Sequence, residues 1–340
     1  MKKYLLPENG QFYKANLHCH SVISDGKLTP EQIKQAYMER GYSIVAFTDH
    51  DVLIPHPELA EENFLPLNGF EVEINDPIEH WDLTKTCHIC FIALDPDNVT
   101  QPCYNERYLF GNAPQYKNLV KHDESEAPYV RARTHEGVSD IMQKCRDKGF
   151  FVTYNHPKWS LENYPDYIGY KGMHAMEIVN YGCHNGGFTE YNPEVYDDFL
   201  KSGQRIFAIA ADDNHNYAPI NSPQSDSFGG FTMIKADKLD YKTITDALLA
   251  GNFYSSMGPE IYEIYYEDGF VTVTCSDAVK IQLDSNCRAH RVALPEKHGE
   301  TINKATFKIW NLNTYFRVTV TDKEGKHACT NAYFLDELTE

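Results

Sequence analysis

An α/β barrel or open sheet followed by a small all-β, sandwich-like domain is the fold the sequence predicts, and three observations predict it. Apolar strand-like runs alternate with helical stretches as far as Gly258-Pro259, the rhythm of βαβ units. Several of those runs end in residues rich in His and Asp, at the C-terminal strand ends where α/β folds carry their sites. Beyond residue 260 the pattern becomes some seven short strands in about 80 residues, separated by turn signals as in a small β-sandwich. The expected domains are therefore 1–259 and 260–340, with an irregular insertion near 100–135.

The first run, FYKAN, leads into HCHSVISDG. Side chains alternate along a strand, so His18 and His20 share one face and Cys19 takes the other. Such a pair also occurs on half-exposed strands that bind nothing, and a metal requires further ligands elsewhere. Thr29-Pro30-Glu31-Gln32 is a helix start, with Thr29 as N-cap, Pro30 in the first turn and Gln32 closing a capping box. Ile33, Ala36 and Tyr37 form its apolar stripe, and Gly41 ends it. The buried strand SIVAFT over 43–48 completes a βαβ unit and predicts parallel pairing.

The same unit recurs. A helix over 138–148 passes through Gly149 to FFVTYN (150–155), AMEIVN (175–180) is a further strand, and a helix ending near Lys201 passes through Gly203 to RIFAIAA (205–211). A helix over 241–251 closes this half. The 103–133 stretch is polar and aperiodic, which inside a barrel points to a lid or elaborated loop. In the last part, EIYEIYYEDGFVTVTC is a hairpin turning at Asp268-Gly269, and VKIQLD, RVAL, TFKIWN, YFRVTVTD and ACTNAYF follow as strands.

Composition limits the function. The 340 residues are 42% hydrophobic and 24% charged, with 31 Lys plus Arg against 49 Asp plus Glu and a formal charge of −18. That balance disfavours an extended basic face for duplex nucleic acid or an anionic membrane. The nine cysteines are scattered without a CxxC pair, so neither a disulfide framework nor a zinc ribbon is expected, and reduced thiols are. The apolar stretch after Lys3 is about three residues long, far short of the roughly 7 to 15 of a secretory signal, and no run approaches the roughly 18 of a membrane span. A cytoplasmic protein is the expectation.

The chemistry-bearing residues come in clusters. FTDHD places Asp49, His50 and Asp51 after a buried strand; NGFEVE puts Glu71 and Glu73 on one strand face; CHICF sets His88 inside an apolar strand, where an unpaired imidazole is costly. TYNHPKW delivers His156, and AADDNHN delivers Asp213 and His215. Together these are His and carboxylate ligands suited to Zn, Mn or Fe.

In this order the motifs resemble the PHP family, the polymerase and histidinol phosphatase superfamily: His-x-His with Ser-Asp-Gly, then Thr-Asp-His, Gly-x-Glu, a lone strand His, Asn-His-Pro and Asp-x-His, from Lys14 to Pro259. The resemblance implies a distorted (β/α)7 PHP barrel. It also implies two or three divalent metals: one held by His18, His20, Glu71 and Asp213, a second by Glu71, His88 and His156, and a third by Asp25, His50 and His215. Asp212 stands where a small residue is common, and Glu73 could compete with Glu71; the Gly69-x-Glu71 spacing favours Glu71.

The function so implied is a metal-dependent phosphoesterase hydrolysing a small phosphorylated metabolite or nucleotide by a metal-activated hydroxide. Asp213, His215 and His50 would handle protons or charge. Hydrolysis of an ester, amide or carbamate by the same site is the alternative, and a non-catalytic metal- or carbohydrate-binding protein a third. For phosphate recognition Arg131, Arg133, Lys158 and His184 are candidates, with Lys158 and His184 preferred, although each also reads as an ordinary surface charge. His56, His80, His290, His298 and His327 need no function. Trp81, Trp159 and Trp310 are expected to pack, Trp159 being best placed to reach the cleft.

Overall fold

The computed structural model describes residues 2–77, 80–309 and 314–338. In chain order its strands are β1 (Lys3–Tyr4), β2 (Gln11–Asn16), β3 (Ile44–Phe47), β4 (Leu65–Asn75), β5 (Thr86–Ala93), β6 (Phe150–Asn155), β7 (Ala175–Asn180), β8 (Phe207–Ala211), β9 (Phe231–Ala236) and β10 (Phe253–Ser256). There follow β11 (Ile261–Glu267), β12 (Phe270–Ala278), β13 (Lys280–Ser285), β14 (Arg291–Ala293), β15 (Ile302–Lys308), β16 (Tyr315–Thr321), β17 (His327–Thr330) and β18 (Tyr333–Phe334). One long sheet runs β14-β13-β16-β17-β10-β9-β2-β3-β4-β5-β6-β7-β8, with β18 against β16, and a second runs β1-β11-β12-β15.

Local sequence accounts for many of these elements. The helix Pro30–Met38 starts as its capping box predicts, Thr29 accepting from the Gln32 amide and the Gln32 side chain from the Thr29 amide. The next long helix, His135–Asp147, begins earlier than its apolar stripe does because Thr134 caps it, accepting from the Gly137 amide. The helix Tyr241–Ala250 ends on Gly251 in the left-handed region, φ 71°, a conformation a side chain resists. At the β11–β12 turn both Asp268 and Gly269 have positive φ, 48° and 84°, the requirement of a two-residue type I′ hairpin.

Pairing corrects one expectation. β2-β3-β4 and β6-β7-β8 are parallel, as βαβ units require, but β5 runs antiparallel to both β4 and β6, and β9 antiparallel to β2. The 76–85 connection is shorter than the dozen or so residues a parallel crossover needs. Beyond the strand ends β8 returns to β2: the Asp213 amide donates to His18 O at 3.0 Å and the His20 amide to Asn214 O at 3.1 Å. The sheet thus curls until its polar strand exits meet.

The C-terminal strands are not set apart at Gly258-Pro259. β10 pairs with β17, so the long sheet runs across that point, and β1 from the opposite end of the chain joins β11. The two sheets face each other over Ile264, Val271, Val273, Leu283, Val318 and Val320. Of the expected strand TFKIWN, Trp310 and Asn311 lie outside the described residues. The 103–133 stretch holds short helical turns at Glu106–Tyr108, Ala113–Tyr116 and Lys117–Leu119, and it is tied to the first loop by the Asn112 amide donating to Ser24 O at 2.6 Å. No helix among the described residues is long and apolar enough to cross a membrane, and eight of the nine cysteines are buried thiols.

Tyr315, Cys329 and Phe334 pack in the same core as Ile178, Val195 and Tyr196, and Asn331 donates to Gly251 O and Phe253 O. Deleting 260–340 uncovers that core and the β10 edge, so the remainder is expected to aggregate. Size-exclusion chromatography of the truncated chain checks this; a soluble monomer with a native-like circular dichroism spectrum would refute it.

Candidate metal centre

The site forms where the strands of the curled sheet end. Asp51, His156 and Asp213, just past β3, β6 and β8, are non-glycine residues with positive φ of 62°, 25° and 53°. Such conformations cost of order 1–3 kcal/mol each and persist where the surroundings impose them. Here backbone and carboxylate contacts do so: the Asp51 amide donates to Glu71 O at 2.8 Å, and the His156 amide to Glu177 Oε2 at 3.0 Å.

All nine expected metal ligands meet in one cluster. His18 Nε2 and His20 Nε2 lie 3.0 Å apart, and each is 3.1 Å from Asp213 Oδ1. Glu71 faces both through separate oxygens, at 3.2 Å to His18 and 3.3 Å to His20. Its Oε1 also lies 3.2 Å from His88 Nδ1 and 3.4 Å from His156 Nε2, and its Oε2 3.3 Å from His50 Nδ1. Asp25 Oδ2 reaches His215 Nε2 at 3.3 Å, while Oδ1 is 3.9 Å from His20 Nδ1 and 4.0 Å from His50 Nε2. The sets His18, His20, Glu71, Asp213 and His20, Asp25, His50, His215 each bring one donor atom per residue within 4.8 Å of one another.

Asp25 arrives by a folded loop rather than an extended strand. Asp49 accepts from the amides of Ser21 and Ser24 and from both hydroxyls, at 2.7–3.1 Å, which curls Ser21–Gly26 back onto the cluster. Gly26 is needed there because a Cβ would stand 2.4 Å from His20 O. Asp212, the unusual neighbour of Asp213, faces away from the cavity and accepts from the amides of Phe228, Gly229 and Gly230 and from the Tyr37 hydroxyl. Burial, against those bonds, holds its carboxyl up at about 7.

Sequence reasoning missed Glu177. It is fully buried, its Oε1 2.7 Å from His18 Nδ1, and its Oε2 accepts from the His156 amide and from Asn180. A carboxylate on Nδ1 keeps the proton on that nitrogen and turns the Nε2 lone pair to the cluster. The signal was available, since Glu177 is a charged residue within the apolar strand AMEIVN, the same argument that singled out His88.

The electrostatics fit a cation. Burial opposes charge on His20 and His88, yet the neighbouring carboxylates, Asp213 and Glu71 for the first and Glu71 and Glu73 for the second, lift both to about 10. Burial and the charge of His20 instead push His50 down to about 3. Glu71 is held well below the carboxylate range against its burial, by His18 and His88 first. The cluster thus demands positive charge, and the buried His88 Nε2 has no hydrogen-bond partner. Borderline imidazole nitrogens and hard carboxylate oxygens in such a set suit a divalent metal ion.

The cavity over this cluster has a volume of about 830 Å³ and is lined by Asp25, Glu73, Phe110, Trp159, His215 and Tyr217 among others. Of the phosphate candidates, Arg131 is tied to Asp51 and Glu73 O and Arg133 to Asp76, Glu162 and Asp166. Both are engaged in buried ion pairs, which removes them from substrate binding. Among the described residues the lining includes neither Lys158, which is exposed, nor His184, which stacks on Tyr181 and faces Glu190. Trp81, expected to pack, is instead 70% exposed and forms a cavity wall with Trp159.

The sequence profile of the PHP domain matches residues 16–214, the span that holds all but one of the clustered ligands. The chain belongs to the PHP domain family. A curated relative, the 3′,5′-nucleoside bisphosphate phosphatase of Chromobacterium violaceum, is 35% identical over 85 residues, which is 24% of this chain and 28% of that protein. The match therefore spans under a third of the relative's length. Among solved structures, the PHP chain is similar to a two-domain Bacteroides vulgatus protein containing a predicted PHP-like metal-dependent phosphoesterase, at 14% identity, 98% coverage of both chains and a TM-score of 0.43. An amidohydrolase from Chromobacterium violaceum gives 17% identity, 59% of this chain, 87% of that one and a TM-score of 0.37. At those values neither likeness bears on the reaction.

Two measurements check the centre. His20 and His88 have folded values raised from 6.5 to about 10 without metal, so their contribution to stability is full below about pH 6.5 and lost as pH rises to 10. Metal-free protein is expected to lose melting temperature over that window and to regain it on adding Zn or Mn. Glu177→Gln is expected to weaken metal affinity about 10- to 100-fold with an unchanged circular dichroism spectrum, read by competition with a chromogenic chelator.

Proposed function

We propose that this PHP protein is a metal-dependent phosphoesterase acting on a small phosphorylated metabolite or nucleotide, with the curled sheet read as the distorted (β/α)7 barrel. The observation that carries the proposal is the gathering of nine His, Asp and Glu side chains, with Glu71 among them facing five imidazoles, at the floor of an open cavity. His18, His20, Glu71 and Asp213 would hold one divalent cation, Glu71, His88 and His156 a second, and Asp25, His50 and His215 a third. Cations so held supply Lewis acidity and lower the pKa of water.

The chain's own groups have distinct tasks. Asp213, beside His18 and His20 on the cavity floor, is placed to relay a proton from the attacking water. His215 is the most exposed imidazole of the cluster, its side chain 21% accessible. Its Nδ1 lies 3.0 Å from Asp213 O and its Nε2 faces Asp25, so where no third cation is held it is the imidazole oriented to protonate the departing oxygen, whose charge that cation would otherwise stabilise. His50, also against Asp25, adds to the electrostatic support of that side. The buried thiols accord with a reducing, cytoplasmic setting.

A second reading, hydrolysis of a carboxylic ester, amide or carbamate, is favoured by one feature: the described lining of the cavity contains no Lys or Arg. A panel of phosphomonoesters, phosphodiesters, nucleotides and carboxylic or carbamate esters, assayed with Mn or Zn and with His156→Ala as the blank, separates the two. Phosphate release that disappears in the blank is the expected result, and turnover of carbonyl esters alone would replace it with the second reading. His215→Gln is expected to lower kcat by about 10²- to 10⁴-fold, with metal content, by atomic absorption, falling by at most the one ion it would help to hold.

A further inference from the structure

Next to the metal cluster the cavity continues into a side pocket of about 270 Å³. Its walls are Trp81, Trp159, Leu161 and Phe188, and its polar groups include Glu73, Asn75 and Asp82. The two indoles meet as a corner, centroids 6.1 Å apart and planes at 67°, so a flat ring stacked on one meets the edge of the other. Trp159 stands 5.2 Å from the His88 ring and 5.1 Å from the His156 ring, one ring's distance from the reacting centre. Trp81 is 70% exposed and Leu161 40%, large apolar side chains that bury little in the fold itself.

Charge narrows the occupant. Neither the cavity nor the side pocket contains a Lys or Arg among its described lining residues, whereas Glu73, Asp82 and Asp226 are carboxylates. A phosphate at the cluster would have the metals' charge to meet it; a second phosphate in the side pocket would meet the Glu73 and Asp82 carboxylates and no Lys or Arg among the described lining residues. A neutral ring with N–H donors has both stacking faces and acceptors to bond.

Resting on the phosphoesterase reading, we propose that the side pocket is the specificity subsite, that it takes a planar nitrogen heteroaromatic ring bearing N–H donors, and that the substrate carries a single phosphate. Trp81 stacks the ring and Trp159 meets its edge, and Glu73, Asn75 and Asp82 accept from its N–H groups. Esters lacking the ring lose the stacking, and esters with a second phosphate on the ring side are excluded by the carboxylates.

Three probes test it: adenosine 5′-monophosphate, glycerol 3-phosphate and adenosine 3′,5′-bisphosphate, each with the Mn-loaded full chain. The monophosphate is expected to exceed both others in kcat/KM. Trp81→Ala is expected to reduce the ratio of adenosine monophosphate to glycerol phosphate by about 5- to 150-fold, and Trp81→Phe to restore most of it. Equal kcat/KM for the ringed and ringless monophosphates, an unchanged ratio in Trp81→Ala, or preference for the bisphosphate would overturn the proposal. Adenosine itself, titrated into metal-free protein, is expected to quench tryptophan emission, and less tightly by the same factor in Trp81→Ala. That signal with no phosphate released from any probe would sink the phosphoesterase reading and keep the pocket; phosphate release without it would sink the pocket alone.

Discussion

Glu71 is the group on which the site depends. It is an ionised carboxylate at 1% exposure, a state that costs several kcal/mol unless opposite charge and hydrogen bonds surround it. Imidazoles from four separate segments supply that surround: His18 and His20 past β2, His50 past β3, His88 within β5 and His156 past β6. Asn155 adds a hydrogen bond at 3.0 Å. Because the partners come from four different strands, satisfying this carboxylate requires the sheet to curl. Conversely, an assembly of imidazoles this close repels itself unless anions or metal–ligand bonds hold it together.

A second set of buried acids fixes the backbone around the first. Asp49 folds the 21–26 loop, Glu177 orients His18 and anchors the His156 amide, and Asp212 gathers the 228–230 turn. Each accepts from several donors, so each can be buried without a cation of its own. The division of labour between adjacent residues is sharp at Asp212 and Asp213: one points into the protein scaffold and the other, turned by its positive φ, into the cavity.

Much of this was legible in the sequence, and the limits have physical reasons. Capping residues and apolar runs placed the helix at Pro30 and strands β6 and β7, because those signals are local. Pairing direction around β5 was not legible, since it depends on how short the 76–85 connection is relative to a crossover. Nor was the continuity of the long sheet through β10 and β17, a contact between residues more than seventy positions apart. In the site, the ligands stood out because His and Asp interrupt apolar strand ends. Glu177 interrupts an apolar strand in the same way, but its partners, His18 and the His156 amide, are far away in the chain, so nothing local tied it to the ligands. Arg131 and Arg133 misled for the opposite reason: a cation near a loop looks available until the carboxylates that claim it, Asp51, Asp76, Glu162 and Asp166, are seen folded around it.

That engagement of the arginines has a consequence for recognition. With 49 acidic against 31 basic residues, the chain surrounds its catalytic candidates with negative charge, and its nearest guanidinium groups neutralise structural acids. On the phosphoesterase reading, attraction for an anionic substrate must then come from the metal centre itself, so binding of the phosphate and activation of its hydrolysis fall to the same few atoms. Discrimination among phosphate esters cannot be made by that centre, which contacts what all of them share. It must be made by the remaining walls, and those walls are two indoles, a phenyl ring and uncharged or acidic edges.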